Sequence, residues 1–220
     1  MLHSKSYEMK DFFRRVLRGI VNAGNDTSGI EKRWVEIYRQ SIRSRFYSFI
    51  GGLLEGLSPS GTMLEHGCSI GNVALKRRRT GGHVMGIDKS FYAILEAKKQ
   101  RLTDSDFLVA DSLEPPFGSK KFDTVLGLNL LDIVEPYPLI RTMADQVDRY
   151  LVLSDPYDFE RGKLSVREKV SPEGVRSYLE NIGFKMIHHT EEPAQIPWRI
   201  KVNSRLELDY KVDVIVAERA

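Results

Sequence analysis

The residues best placed to do chemistry lie in the segment Met63-Leu64-Glu65-His66-Gly67-Cys68-Ser69-Ile70-Gly71, which reads as a strand running into a glycine-rich turn and then a helix. Gly67 and Gly71 admit backbone conformations and close approaches that a side chain would block. In an open parallel sheet, ligands bind at the carboxyl ends of the strands, so this turn is where a nucleotide-like group would lie. Asp88 ends the next apolar run, His83-Val84-Met85-Gly86-Ile87. It follows Gly67 by about twenty residues, the spacing at which a carboxylate accepts hydrogen bonds from the hydroxyls of a ribose. A third run, Asp106–Ala110, ends in Asp111-Ser112, suited to the exocyclic amine of an adenine, and a fourth, Phe122–Leu128, ends in Asn129-Leu130. Each carboxylate alone could be a turn former or helix cap. Together the strand ends describe an adenosine site.

The spacing fits a dinucleotide less well. A pyrophosphate fingerprint places glycines at relative positions one, three and six; here the third position is Ser69 and the sixth Asn72. His66, His188 and His189 have no third ligand at suitable spacing, so no metal site is expected. His188 and His189 are read as neighbours on a strand, facing opposite sides of it.

The elements that must hold these residues alternate. Strands are predicted at Thr62–His66, His83–Ile87, Asp106–Ala110, Phe122–Leu128, Arg149–Ser154, Phe184–His189 and Lys211–Ala217, with helices at Gly71–Arg79, Phe91–Arg101, Tyr137–Val147 and Pro172–Asn181. Such alternation implies an α/β fold with a mostly parallel seven-stranded sheet covered on both faces. No helix separates the last two strands, so the final one is expected to be antiparallel. Residues 1–57 read as an N-terminal helical cap. Phe12, Phe13, Val16, Leu17 and Ile20 recur at helical spacing; then, after a turn-rich stretch, Trp34, Ile37, Tyr38, Ile42, Phe46, Phe49 and Ile50 mark a longer helix that Gly51-Gly52 would interrupt. Residues 58–220 would form the main domain, with 193–211 as a substrate arm or lid.

Composition bounds the answer without deciding it. The 220 residues carry 33 basic and 30 acidic side chains, a formal charge of +3, and one cysteine, Cys68, which excludes an intramolecular disulfide. No apolar run approaches the roughly 20 residues of a membrane helix, and the N-terminus lacks a signal-peptide layout, so a cytoplasmic protein without a membrane partner is expected. Basic residues cluster at Lys10, Arg14, Arg15 and Arg18 and at Lys76-Arg77-Arg78-Arg79. These are either solvated helix faces or an RNA-binding surface.

The loop from Glu65 to Gly71, Asp88, Ala110-Asp111 and the approach Pro116-Phe117 to Phe122-Asp123-Thr124-Val125 together resemble the class I S-adenosylmethionine-dependent methyltransferases, over roughly Thr62 to Ser154. Ser69 stands where the commonest form of the loop has a middle glycine. The resemblance implies a Rossmann-like fold, S-adenosylmethionine as cofactor and S-adenosylhomocysteine as product. It implies that Glu65, Gly67 and Gly71, with Cys68 and Ser69, shape the pocket for the methionine portion. Asp88, beside Lys89, would hold the ribose; Asp111 and Ser112 would flank the adenine; Asn129 and Leu130 would lie near the reacting methyl group. The Asn/Asp-Pro-Pro-aromatic loop of base and glutamine methyltransferases is missing after the fourth strand, where the chain reads Asn129-Leu130-Leu131-Asp132.

For the acceptor, Asp132, Asp155 and Tyr157 are the candidate catalytic residues, and Tyr38, Trp198, Arg199, Asn203 and Arg205 join them as substrate candidates, the arginines as partners for a carboxylate. The leading expectation is methyl transfer to a small molecule, with an amino-acid-like acceptor in view, by a monomer or homodimer. The alternatives are an RNA or protein methyltransferase and a non-catalytic S-adenosylmethionine-binding interaction protein.

Overall fold

The computed structural model describes residues 27–58, 60–77, 82–160 and 166–220. The first predicted helix, with Lys10, Arg14, Arg15 and Arg18, and the basic residues Arg78 and Arg79 lie outside the described residues.

Eight strands form the sheet: β1 (Met63–His66), β2 (Val84–Asp88), β3 (Ser105–Val109), β4 (Phe122–Leu128), β5 (Val147–Asp155), β6 (Phe184–Met186), β7 (Ile196–Lys201) and β8 (Glu207–Arg219). Seven follow the order β3-β2-β1-β4-β5-β8-β6, with β7 paired to β8 off that path. Strands β1 to β5 pair in parallel, whereas β8 runs antiparallel to β5, β6 and β7. The mostly parallel sheet with an antiparallel last strand is therefore present, and the arm at 193–211 adds an eighth strand to it. Two environments meet within β8. Its first half, where Leu208, Tyr210 and Val212 alternate with Glu207, Asp209 and Lys211, forms a hairpin with β7; its second half is continuously buried between β5 and β6. A strand covered on one face alternates, and one covered on both does not.

Helices cover both faces. On one lie α1 (Thr27–Ser41), α2 (Arg45–Leu57), α3 (Asn72–Arg77) and α4 (Phe91–Lys99); on the other lie α5 (Pro136–Gln146) and α6 (Pro172–Asn181). The first core joins Phe46, Ile50 and Leu54 of α2 to Met63, Leu126 and Val152 of the sheet and to Trp198 of β7. The second packs Leu139, Ile140 and Met143 of α5 and Val175 and Leu179 of α6 against Leu64, Val125 and Leu151.

Three local expectations need correction. The N-terminal helical stretch breaks at residues 42–44, because the Ser44 hydroxyl caps α2 by accepting from the Tyr47 N–H at 3.4 Å, and Gly51-Gly52 lie inside that helix. Strand β6 ends at Met186, so His188 and His189 occupy a turn with φ of 57° and 59° and not two faces of a strand. Between β3 and β4 the chain forms turns and bends without a helix, so that link also departs from strict alternation. Helix α6 has the bounds its punctuation implies, with Ser171 accepting from the Gly174 N–H at 3.0 Å and Gly183 just beyond its end at φ 89°.

Candidate active site

The carboxyl ends of β1, β2 and β4 converge on a cleft of about 210 Å³. The turn after β1 is its floor. Gly67 has φ 65°, and a Cβ there would come within 2.5 Å of the Leu130 side chain; at Gly71, φ 76°, it would meet Phe107 at 2.8 Å. Both positions exclude a side chain by conformation and by space. Ser69 also adopts a left-handed conformation, φ 48°, which explains why a glycine is a natural alternative there. Its N–H donates to Asp88 Oδ2 at 2.9 Å, and the Ser90 N–H donates to Asp88 Oδ1 at 2.8 Å. The carboxylate of Asp88 is thus fixed by two backbone donors, and each oxygen keeps a lone pair for a further donor.

The acids of the cleft are desolvated and face one another. Burial, and then the neighbouring Asp88, push the Glu65 carboxyl well above the usual carboxylate range. Glu65 is 3% exposed, and its Oε2 has no hydrogen-bond partner among the described residues. Burial also raises Asp88, against the two backbone donors that favour its charged form. Burial raises the Cys68 thiol as well, so that it remains a thiol. His66, next in sequence but on the other face of the sheet, contacts Gln146 Oε1 through Nε2 at 2.9 Å, and burial lowers its pKa to about 4.

Helix α1 closes one side. Glu31, Trp34, Val35 and Tyr38 line the cleft from one helical stripe, and Tyr47 of α2 joins them. Glu31 accepts a 2.5 Å hydrogen bond from Ser90 Oγ, which in turn caps α4 by accepting from the Ala93 N–H at 3.2 Å. Leu128 and Ile133 supply apolar wall.

Of the cofactor set, Glu65, Gly67, Cys68, Ser69, Asp88, Asn129 and Leu130 line this cleft, as does Tyr38 of the substrate set. Asn129 has φ 58° and accepts at Oδ1 from Ser154 Oγ at 3.2 Å. Lys89 and Asp111 form an exposed ion pair of 2.8 Å outside the lining, and Ser112 is buried nearby in the chain. Asp111 also accepts from the Leu113 N–H at 2.9 Å, which with Lys89 lowers its pKa.

The remaining acceptor candidates are elsewhere. Asp132 is buried in the turn between β4 and α5; it does not cap α5, whose N-cap is Glu135. Asp155, fully buried, accepts from the Leu131 N–H at 2.8 Å and the Tyr157 N–H at 2.7 Å, tying the loop after β4 to the end of β5. Tyr157 donates to Asp213 at 3.3 Å, and burial, then Asp213, raise its hydroxyl pKa. Trp198 is a core residue and not a lid. It is 0% exposed and packs on Phe46, Tyr210 and Tyr38 with ring centroids 5.6–6.4 Å apart. Arg199 pairs with Glu207 and Asp209 on the hairpin, and Asn203 and Arg205 are exposed at its tip. Sequence reasoning passed over Glu31, Trp34, Val35, Tyr47 and Ser90 as site residues. The i, i+3, i+4, i+7 spacing of α1 was the signal for four of the lining positions, but the period gives a face and not its partner.

Among the described residues no three His, Cys, Asp or Glu side chains are grouped as a metal would need, and no helix is long and apolar enough to cross a membrane. An orphan carboxylate oxygen, a fixed second carboxylate and a floor that stays low at Gly67 fit a nucleoside that carries a positive charge.

Residues 63–152 match the family model described as a methyltransferase domain. Among solved structures, the magnesium protoporphyrin IX methyltransferase of Synechocystis PCC 6803, crystallised with bound S-adenosylmethionine, is 20% identical with a TM-score of 0.66, over 89% of this chain and 93% of that one. A methyltransferase from Aquifex aeolicus dependent on the same compound is 17% identical at TM-score 0.60, covering 84% and 97% of the two chains. The N-methyltransferase NodS from Bradyrhizobium japonicum WM9 is 16% identical at TM-score 0.60, covering 79% and 94%. No curated protein sequence matches the chain. The sheet order and these likenesses define a class I methyltransferase fold. The match over β1 to β5 assigns residues 63–152 to a methyltransferase domain, and the likenesses support S-adenosylmethionine as its donor.

Proposed function

We propose that this enzyme transfers the methyl group to a small-molecule acceptor held between α1 and the loop after β4. The observation that carries the reading is the wall of Trp34, Tyr38, Tyr47 and Ile133, which closes the donor cleft of about 210 Å³ on the side of α1 and the loop after β4. Small-molecule sites are concave and mostly apolar, with a few convergent polar groups. An RNA methyltransferase would instead present an open basic surface. Of the run Lys76–Arg79, Arg77 is buried and donates to Gly61 O at 3.3 Å, which supports the small-molecule reading.

When bound, S-adenosylmethionine supplies an activated methyl group. The protein's own part is then to bind, align and exclude water. In this reading Asp88 holds the ribose, Glu65 faces the positive charge of the methionine portion, Asp111 and Ser112 flank the adenine, and Asn129 and Leu130 border the methyl group. Asp155 acts as a positioning residue, since it fixes the Leu131 N–H and with it the loop that carries Leu130. Helices α1 and α2 act as the cap. The two cations once considered for an acceptor carboxylate, Arg199 and Arg205, are assigned to the β7–β8 hairpin, and an amino-acid carboxylate is not part of the proposal.

The test is incubation of the protein with labelled S-adenosylmethionine and either the small-molecule or the RNA fraction of a cell extract. Label transferred to the small-molecule fraction is expected. Transfer confined to RNA or protein would overturn the proposal, and binding of S-adenosylhomocysteine without any transfer would leave a non-catalytic binding protein.

A further inference from the structure

We propose that Glu31 is a positioning residue for the acceptor side of the cleft, acting through Ser90 so that the setting of α1 depends on donor occupancy. The inference rests on the small-molecule reading above and on Asp88 as the holder of the ribose. One hydrogen-bonded chain joins the two sides. The Ser90 N–H donates to Asp88 Oδ1 at 2.8 Å, and the Ser90 hydroxyl donates to Glu31 Oε2 at 2.5 Å while accepting from the Ala93 N–H at 3.2 Å. A single residue thus ties the end of β2 and the start of α4 to α1. The helical stripe that begins with Glu31 continues through Trp34, Val35 and Tyr38, which wall the cleft. The other anchors of α1 go elsewhere. The helix runs beside α4 in the same direction, with Lys32 Nζ 4.7 Å from the centre of the Tyr92 ring, Val35 packed with Ala93 and Ile70, and Arg39 paired with Glu96 at 2.7 Å. Of these anchors, Glu31 alone meets a residue hydrogen-bonded to Asp88.

That link is charged, and the charge makes it responsive. Glu31 and Asp88 are carboxylates with Ser90 between them, in a cleft whose described lining residues include no lysine, arginine or histidine. Burial first, and the charge of Glu31 with it, raise the Asp88 carboxyl. Without a donor the two acids repel, which works against the bond from Ser90 to Glu31. A bound donor brings ribose hydroxyls to Asp88 and a positive charge to the cleft. Both relieve the repulsion and so favour the state in which Glu31 latches α1 onto Ser90. Trp34 and Tyr38 are then set after the donor binds, and the acceptor meets its wall on the donor complex.

Hydrogen–deuterium exchange along α1, read by mass spectrometry with and without saturating S-adenosylmethionine, tests the latch without knowledge of the acceptor. In the wild type the donor should slow exchange about fivefold or more, the low end of ordinary coupling between sites. Glu31→Gln keeps an acceptor for Ser90 without the charge. Its α1 should exchange slowly already in the free protein and respond to the donor about twofold or less. Glu31→Ala removes the latch, so exchange should be fast in both states. Arg39→Ala removes an anchor outside the chain of bonds; it should speed exchange in both states and keep the wild-type ratio, as a merely structural loss would. A wild-type ratio in Glu31→Ala or in Glu31→Gln overturns the inference, as does no slowing in the wild type at a donor concentration that calorimetry shows to be saturating. Failure of S-adenosylmethionine to bind at all, or binding that Asp88→Asn leaves unchanged, would strike the earlier functional reading, and this one with it.

Discussion

Two groups of buried carboxylates lie along the carboxyl edge of the sheet, and the protein treats them in opposite ways. Asp213 of β8 accepts from Arg176 Nη1 at 2.7 Å and Nη2 at 2.9 Å, from the Ala194 N–H at 2.9 Å and from Tyr157 Oη at 3.3 Å. Arg176 spends its other donors on the carbonyls of Thr190, Pro172 and Glu192. Glu65 of β1 is as deeply buried, yet leaves an oxygen without a partner among the described residues, beside the carboxylate of Asp88. Most buried polar groups are satisfied, so an exception asks for an explanation. The satisfied group ties α6, β8 and the end of β5 together. In the function proposed above, the unsatisfied one keeps a site ready for a cation.

The largest expected effect comes from breaking the satisfied group. Asp213→Ala leaves the Arg176 guanidinium buried without its counter-charge and should cost about 3–5 kcal/mol, the range for removing one partner of a buried pair. Urea unfolding measures it. A loss below about 1 kcal/mol would mean that this network is no more a part of the fold's stability than the cleft acids are.

A second effect sharpens the contrast at adjacent residues of β1. Where Glu65 faces the cleft, His66 faces the core, and its buried ring takes a proton only at about 4 instead of 6.5. Between those values the unfolded chain binds the proton and the folded chain does not. The neutral ring's contribution is therefore complete above 6.5 and is lost as pH falls to 4, by about 3 kcal/mol in all. His66→Gln should flatten that part of the acid limb in a denaturation series from pH 7 to 4. Superimposable limbs for the two proteins would refute it.

The same contrast marks what could be read before any coordinates. The loop Glu65–Gly71 and Asp88 were legible because their signals are local: a strand, glycines in left-handed turns and a carboxylate one strand further on. Helix α6 was legible from Ser171, Pro172 and Gly183 for the same reason. Pairings across sequence distance were not. Arg176 and Asp213 are 37 residues apart, and neither differs in type from a surface charge. Trp198 reads as a substrate residue of an arm or lid because nothing local shows that the β7–β8 hairpin folds back onto α1 and α2. The face of α1 was visible as a period, but only packing against Ser90 and α4 turns Glu31 toward the cleft.

A third, smaller effect concerns the unsatisfied acid. Because the folded Glu65 carboxyl holds its proton to higher pH than an unfolded one, the free protein loses stability as pH rises from the ordinary carboxylate value toward the raised one. A bound cation favours the ionised form, so S-adenosylmethionine should bind more tightly over the same rise in pH. Glu65→Gln should remove this slope and weaken binding at alkaline pH about tenfold, or about 1.4 kcal/mol, while leaving the fold at least as stable. Wild type and variant with the same pH slope in calorimetry would show that the orphan oxygen plays no part in holding the donor.

The smallest effect tests whether pairing alone, without burial, gives a charge structural weight. Arg199 pairs with Glu207 at 3.6 Å and Asp209 at 3.4 Å, as Arg176 pairs with Asp213, but the side chain is 63% exposed. Water solvates these charges whether or not they meet, and salt screens them. Arg199→Ala should therefore change stability by no more than about 0.5 kcal/mol. Its exposed place on the hairpin, outside the cleft lining, also predicts no change in the KM of whatever acceptor is found. A stability loss comparable to that of Asp213→Ala would mean that contact geometry, and not desolvation, separates the two kinds of charge in this fold. A raised KM would bring the hairpin back to the acceptor, and with it a carboxylate-bearing substrate.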